Sequence, residues 1–320
     1  MPVHAFIFPG QGSQAPGMGR DLAAAFPAAR EVFQEVDDTL GQKLSAIMFE
    51  GPAETLTLTE NAQPALMAHS LAVVRALEAE GGFTLGGRVA LVAGHSLGEY
   101  SALTAAGAFD IATAAKLLRL RGDAMQKATP PGTGAMAALL GAEIELAQEI
   151  CAAAATNPET GKQEVVEAAN DNGGGQVVIS GAKAAVERAI EIAKEKGVKR
   201  AMLLPVSAPF HCALMAPAAD AMAEALAQAT MQAPGVPVVA NVTAAKATDP
   251  AEIRDLLVRQ VTGTVRWREC VAAMAAMGCD KFVEVGSGKV LTGLMKRNAP
   301  EATALAIGNP AELEAFLKTL

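Results

Sequence analysis

Along the chain of 320 residues, apolar and polar positions follow two different periods. Short apolar runs rich in Val, Ile, Leu and Ala read as buried strands at residues 3–8, 89–93, 236–242 and 281–285. Longer segments, with apolar side chains recurring every three or four positions, read as helices at residues 18–26, 28–40, 61–80, 110–127, 251–261 and 266–277. A further helix begins at about residue 311. Asn61 is placed to cap the 61–80 helix, with Pro64 in its first turn. Between residues 41 and 60 the pattern is irregular.

Residues 130–204 change character. Pro130-Pro131-Gly132 marks a boundary, and beyond it strands are expected at 135–140, 163–169, 176–180 and 200–205, with helices at 142–155 and 182–196. This β-α-β-β-α-β order is the ferredoxin-like module. Because both of its ends return to the main body, the expected organisation is a discontinuous α/β domain, residues 1–130 and 205–320, interrupted by an α+β subdomain at 131–204.

Composition narrows the class. The chain is 51% hydrophobic, 19% charged and only 4% aromatic, so its core is built from Ala, Leu, Val and Met. No apolar run reaches the roughly 18 residues of a membrane span, and no signal peptide is expected at the start. A net charge of −8 argues against nucleic acid as the main partner. Cys151, Cys212, Cys270 and Cys279 show no metal-ligand spacing and are expected to be core-filling thiols of a cytoplasmic protein. Nothing in the pattern demands more than a monomer.

The chemistry centres on Gly94-His95-Ser96-Leu97-Gly98, between an apolar strand and an Ala/Leu-rich helical segment. Strand, Gly-x-Ser-x-Gly and helix together describe a nucleophile elbow, in which small residues allow a turn sharp enough to project the serine above the sheet. A serine needs a base, and the chain has four histidines. His4 on a strand and His69 within a helix read as satisfied structural residues. His95 points away from its neighbour and supports the elbow. His211 remains, in a loop just ahead of a helix, whose N-terminus disfavours the imidazolium. No acidic residue stands where a triad needs one. Either an amide orients His211, or the base lies elsewhere.

Two more features carry polar chemistry. Ile111, Ala114, Leu118, Arg121 and Met125 share one helical stripe, whereas Arg119 falls on the side expected to face solvent. An inward Arg121 needs an anion, either an internal carboxylate or a carboxylate on the substrate. Pro9-Gly10-Gln11-Gly12 forms a tight loop at a strand's carboxyl end, where open α/β sheets bind ligands, but its spacing is not a nucleotide fingerprint.

Phe-Pro-Gly-Gln-Gly at 8–12, Gly-His-Ser-Leu-Gly-Glu-Tyr at 94–100, Arg121-Gly122 with Met125, and Phe210-His211 occur in one order. Further matches are Asn-Ala-Gln-Pro-Ala-Leu at 61–66, Gly-Thr-Gly-Ala-Met-Ala-Ala at 132–138, Gly-Gln-Val-Val-Ile-Ser-Gly at 175–181 and Val-Arg-Trp at 265–267. Together they resemble the malonyl-CoA:acyl carrier protein transacylases of fatty acid synthesis over essentially the whole chain. The resemblance implies an α/β-hydrolase-like domain with a mostly parallel sheet and an inserted ferredoxin-like subdomain.

The resemblance also implies roles. Ser96 would be the acylated nucleophile, His211 the general base and acid, and Arg121 the grip on the malonyl carboxylate. The backbone amides of Gln11 and Leu97 would form the oxyanion hole, and the main-chain carbonyl of Gln260 would orient His211. Gln63, His95, Met125, Asn172 and Phe210 would line the pocket. The substrates would be malonyl-CoA and the phosphopantetheine thiol of acyl carrier protein, with no metal or redox cofactor. Such carriers are acidic, so Lys194, Lys196, Lys199 and Arg200 are candidates for docking.

Two departures from the family pattern stand out. Ser-Ala-Pro-Phe-His replaces the Val-Pro-Ser-His of some relatives, so Phe210 should crowd an α-methyl group and favour malonyl over methylmalonyl. Ser287 stands where proline is usual, a minor loop change. Competing expectations are an acyltransferase serving a polyketide synthase or a malonate decarboxylase, a serine thioesterase or esterase, and a non-catalytic carrier-binding subunit.

Overall fold

The structure, a computed structural model, describes residues 4–319; Val3, expected to open the first strand, lies outside them. In chain order, β1 (His4–Phe8) leads through α1 (Arg20–Ala25), α2 (Pro27–Leu40), α3 (Leu44–Glu50) and α4 (Ala53–Thr57) into the long α5 (Thr59–Gly81). Then come β2 (Val89–Gly94), α6 (Gly98–Ala105) and α7 (Ile111–Lys127). A second unit follows: β3 (Gly134–Leu140), α8 (Ile144–Ala154), β4 (Val166–Asp171), β5 (Gln176–Ala182), α9 (Lys183–Glu195) and β6 (Arg200–Leu203). The chain closes with α10 (Ala216–Gln228), β7 (Val238–Val239), β8 (Lys246–Ala247), α11 (Pro250–Thr262) and α12 (Trp267–Ala276). Last are β9 (Lys281–Val285), α13 (Val290–Asn298), β10 (Thr303–Ile307) and α14 (Pro310–Leu317).

The larger sheet has six strands in the order β10-β9-β1-β2-β7-β8. All its pairings are parallel except the short β7–β8 hairpin. Its central strands β9, β1, β2 and β7 are largely buried on both faces, as a parallel sheet covered by helices requires. Phe6, Phe8 and Val92 face one core with the helices α2, α5 and α7, while Ala5, Ile7, Leu91 and Ala93 face a second core built on Trp267, Val271 and Phe282. Helix α5 is buried on nearly every side over its first two-thirds, which is why its residues lack the single apolar stripe of a surface helix.

The smaller sheet is antiparallel, in the order β4-β5-β3-β6. Helices α8 and α9 cover one of its faces, packing on Ala137, Leu139, Val177 and Ile179. The intervening residues Met136 and Val178 therefore point the other way, toward the larger unit.

Several expectations need correction. Residues 41–60 contain α3 and α4, which are too short to show a period. The expected strand at 236–242 shrinks to Val238–Val239. Pro237 has no N–H to pair, and the chain turns at Ala240, whose carbonyl accepts from Ala244 N at 2.9 Å. Asn61 is no cap, since α5 starts two residues earlier. Its side chain instead donates to Thr55 O at 2.8 Å and accepts from Arg119 at 2.8 Å. Arg119 is thus half-buried and hydrogen-bonded, also to Gln42, and does not simply face solvent. β8, α13 and β10 are additional elements.

Candidate active site

The elbow is forced by close approach. A Cβ on Gly94 would run into the backbone of Gly98, and one on Gly98 into the carbonyl of Phe8 on the neighbouring strand. Between them Ser96 takes φ = 55°, a left-handed conformation that non-glycine residues adopt only where surrounding contacts enforce it. Those contacts are visible. His95 N donates to Phe8 O at 3.0 Å, and Ser96 N donates to Asn241 Oδ1 at 2.8 Å. Asn241 Nδ2 in turn donates to Gly94 O at 2.8 Å. One asparagine side chain therefore clamps both sides of the turn. Sequence reasoning missed it, and its only signal was a polar residue ending an apolar run.

His211 is also left-handed, at φ = 59°, and 4% exposed. Its Nδ1 lies 2.9 Å from the main-chain carbonyl of Gln260 and its Nε2 lies 2.7 Å from Ser96 Oγ. A carbonyl only accepts, so Nδ1 carries the hydrogen and Nε2 is free to accept from the serine hydroxyl. Burial, helped by the positive charge of Arg121, pushes the imidazole down to about 3. The ring is neutral for that reason; a short helical turn, Ala213–Met215, separates it from α10. Of the other histidines, His69 Nε2 donates to Gly308 O at 2.9 Å. His4 packs edge-on against Phe316, but its buried Nε2 has no hydrogen-bond partner, so it is structural without being satisfied.

Arg121 is 1% exposed and enters no ion pair among the described residues. Its Nη1 donates to Gln63 Oε1 at 2.8 Å, and its Nη2 to Ser96 Oγ at 3.1 Å and Gln260 Oε1 at 2.9 Å. The guanidinium also lies 5.7 Å from the centre of the Tyr100 ring, and its buried Nε has no partner. A cation this deep, held only by neutral groups beside the serine, has the chemistry to receive an anion. Glu99, the residue after the elbow's second glycine, is equally buried; burial raises its carboxyl to about 7.

These groups open onto a cleft of about 420 Å³ between the two sheets. Gln11, Gln63, His95, Ser96, Leu97, Arg121, Met125, Asn172, Phe210 and His211 all line it. Leu97 is the N-cap of α6, so its amide is one of the orphan donors at a helix start. Gln11 sits on the loop leaving β1. His95 turns away from Ser96 to meet Asn172 Oδ1 at 2.9 Å and lies against Trp267. Gln260 lies behind this surface. Ser287 Oγ donates to Ser13 O at 2.7 Å, tying the loop after β9 to the loop that carries Gln11.

Serine, neutral imidazole, buried guanidinium and a cleft lined by apolar and polar side chains alike suit transfer of an anionic acyl group. Comparison with known proteins agrees. The malonyl CoA-acyl carrier protein transacylase of Escherichia coli K12 is 48% identical over 318 residues, covering 99% of this chain and 100% of that protein. The crystal structure of an acyl-carrier-protein-S-malonyltransferase from Bartonella henselae superimposes with a TM-score of 0.95 at 55% identity, covering 99% of each chain. A malonyl-transacylase solved in complex with its type II polyketide-synthase acyl-carrier protein gives a TM-score of 0.94 at 44% identity, covering 99% of this chain and 100% of that one. The family model for the acyl transferase domain matches residues 5–309, and the chain therefore belongs to the acyl transferase family.

Proposed function

We infer that this protein moves a malonyl group from malonyl-CoA to the phosphopantetheine thiol of an acyl carrier protein, in support of fatty acid synthesis. The observation that carries this reading is the Arg121 guanidinium, buried without a carboxylate partner and 3.1 Å from Ser96 Oγ. An enzyme for neutral acyl groups has no use for it.

His211 takes the hydroxyl proton as Ser96 attacks the thioester carbonyl. The carbonyl oxygen becomes an oxyanion received by the amides of Gln11 and Leu97, and the malonyl carboxylate rests on Arg121. CoA leaves as the thiol, taking the proton back from His211, and the malonyl group remains as an ester on Ser96. The carrier's thiol then attacks that ester, with His211 again accepting and returning the proton. The Gln260 carbonyl holds the imidazole throughout, in place of a triad acid. Phe210 crowds the α-carbon and favours malonyl over methylmalonyl.

The carrier docks on basic residues beside the smaller sheet. Of the four candidates, Lys194 and Lys196 already face Glu191 and Glu149, at 2.6 and 3.5 Å. Lys199 borders a hollow of about 310 Å³ with Arg297, Gly174 and Gly175, which moves the weight of the patch to Lys199, Arg200 and Arg297.

Intact-mass measurement after mixing with malonyl-CoA tests the reading. A stable malonyl adduct that moves to added holo carrier protein is expected. Release of free malonate without an adduct would make the protein a hydrolase and overturn it.

A further inference from the structure

A buried guanidinium and a buried carboxylate normally meet face to face, because desolvating either one alone is costly. Arg121 and Glu99 are both 1% exposed, stand on the adjoining helices α7 and α6, and do not pair. The Gln260 side chain stands between them. Its Oε1 accepts from Arg121 Nη2 at 2.9 Å, and its Nε2 donates to Glu99 Oε2 at 2.9 Å. The same Nε2 donates to Ser96 O at 3.0 Å and Asn241 Oδ1 at 3.2 Å. Flipping the amide would set NH₂ against the guanidinium and oxygen against the carboxylate, so its orientation is dictated by the two charges. The amide dipole then runs along the line from anion to cation, each bond polarising the next.

We propose that Gln260 is an amide spacer through which Glu99 acts as the counter-charge of Arg121, making Glu99 and the Gln260 side chain positioning residues that set how strongly the guanidinium holds a carboxylate ligand. The proposal rests on the reading that Arg121 receives the malonyl carboxylate. A direct carboxylate–guanidinium pair would occupy the fork that recognises carboxylates. With no counter-charge at all, the cation would lie uncompensated in a buried site. One amide's separation gives charge balance and leaves donors for the ligand. Glu99 is fixed for the task, since its Oε2 also accepts from Asn241 N at 2.9 Å, the residue that clamps the Ser96 turn. Among the other ionisable neighbours, Tyr100 and Cys270 are driven further toward their neutral forms by burial and by Glu99 itself, and His211 is kept neutral by burial and by Arg121. They supply no competing charge.

Two substitutions of opposite sign test this, with single-turnover acylation measured using malonyl-CoA and acetyl-CoA. Glu99→Gln keeps the acceptor and removes the charge, so at pH 8, above the value of about 7 to which burial raises the carboxyl, the ratio of malonyl to acetyl acylation should rise roughly tenfold. That is the scale of the repulsion between two like charges about 12 Å apart at an effective dielectric of ~20, here Glu99 and a carboxylate held beyond Arg121. Gln260→Glu keeps the main-chain carbonyl that His211 needs and puts a carboxylate directly on Arg121, so the ratio should fall, by more than about tenfold because the charge is closer. In an Arg121→Ala background the Glu99→Gln shift should disappear. Equal changes for both donors, or a shift that persists without Arg121, would overturn the proposal. If Glu99→Gln fails to fold, the shorter neutral amide of Glu99→Asn takes its place, and a ratio it leaves unchanged would equally overturn the proposal. Failure of the underlying reading shows separately, as Arg121→Ala by itself lowering both donors alike.

Discussion

The two walls of the cleft are built on different principles. The wall at the carboxyl ends of the parallel strands holds Ser96, His211, Arg121 and, behind them, Gln260, Asn241 and Glu99. Their side chains form a continuous hydrogen-bonded set in which nearly every group has more than one partner. The wall contributed by the antiparallel sheet is sparse. Met136 and Val178 present apolar surface, and Asn172 reaches across with its side chain to His95 and with its main-chain carbonyl to Asn298. Over-determined geometry belongs where bonds are made and broken, whereas the opposite wall needs only shape and a polar foothold. The difference teaches that substitutions on the two walls should fail in different ways.

The largest effect should come from Ser96→Ala, which removes the acyl adduct in an intact-mass assay and lowers transfer by about 10⁴-fold or more. Next, Arg121→Ala should cost about 10²-fold in malonyl transfer, the worth of two charge-assisted hydrogen bonds, with a much smaller effect on acetyl transfer. Steady-state rates with both donors check it. Acid stability reports on the same side of the molecule. Burial lowers His211 to about 3 and His69 to about 4, so as pH falls below 6.5 the unfolded chain takes up protons that the folded chain refuses. Stability should decline between pH 6.5 and 4, with His69 contributing up to about 3 kcal/mol. The raised Glu99 carboxyl works in the opposite direction between about 7 and 4.5. Denaturant titrations of His69→Gln at pH 7 and 5 should show a flatter decline; an unchanged slope would contradict it.

Smaller effects follow. Asn241→Leu strands the Ser96 amide and the Gly94 carbonyl, for a loss of about 2 kcal/mol in chemical denaturation together with slower acylation. On the opposite wall, Asn172→Ala should cost about 1 kcal/mol or less and shift transfer only a few-fold. A loss as large as that of Asn241→Leu would erase the contrast between the walls.

How much of this was legible depended on whether a feature is local. The elbow is a contiguous motif, and its glycines, its serine and the flanking strand and helix are all readable from spacing. The inward stripe of α7 likewise placed Arg121 correctly, because helical geometry alone decides which face it shares. Four-residue to seven-residue elements such as α3, α4, β6 and β10 give too few positions to establish a period, and β6 was visible only because it completes a known order. Asn241, Glu99 and the Gln260 side chain act through contacts spanning 19 to 164 positions. No periodicity encodes such meetings. Arg119 shows the same limit from the other side: its helical angle is as expected, yet Gln42 and Asn61 reach across to cover it.

In the smaller sheet, the first strand β3 pairs directly with the last, β6, with Ala137 opposite Leu203. The chain thus leaves the larger unit and returns to it within one inter-strand spacing. To the host fold, everything between these strands is a loop whose ends are already joined, and the entropy of closing such a loop depends only weakly on what it contains. Substitutions at Met136, Val178 and Asn172 would alter one wall of the cleft without straining the other, and the turn between α8 and β4, away from the cleft, can change length without touching either. A lineage could therefore revise which acyl groups and carriers it admits by editing this segment, while the serine, the imidazole and their supports stay untouched.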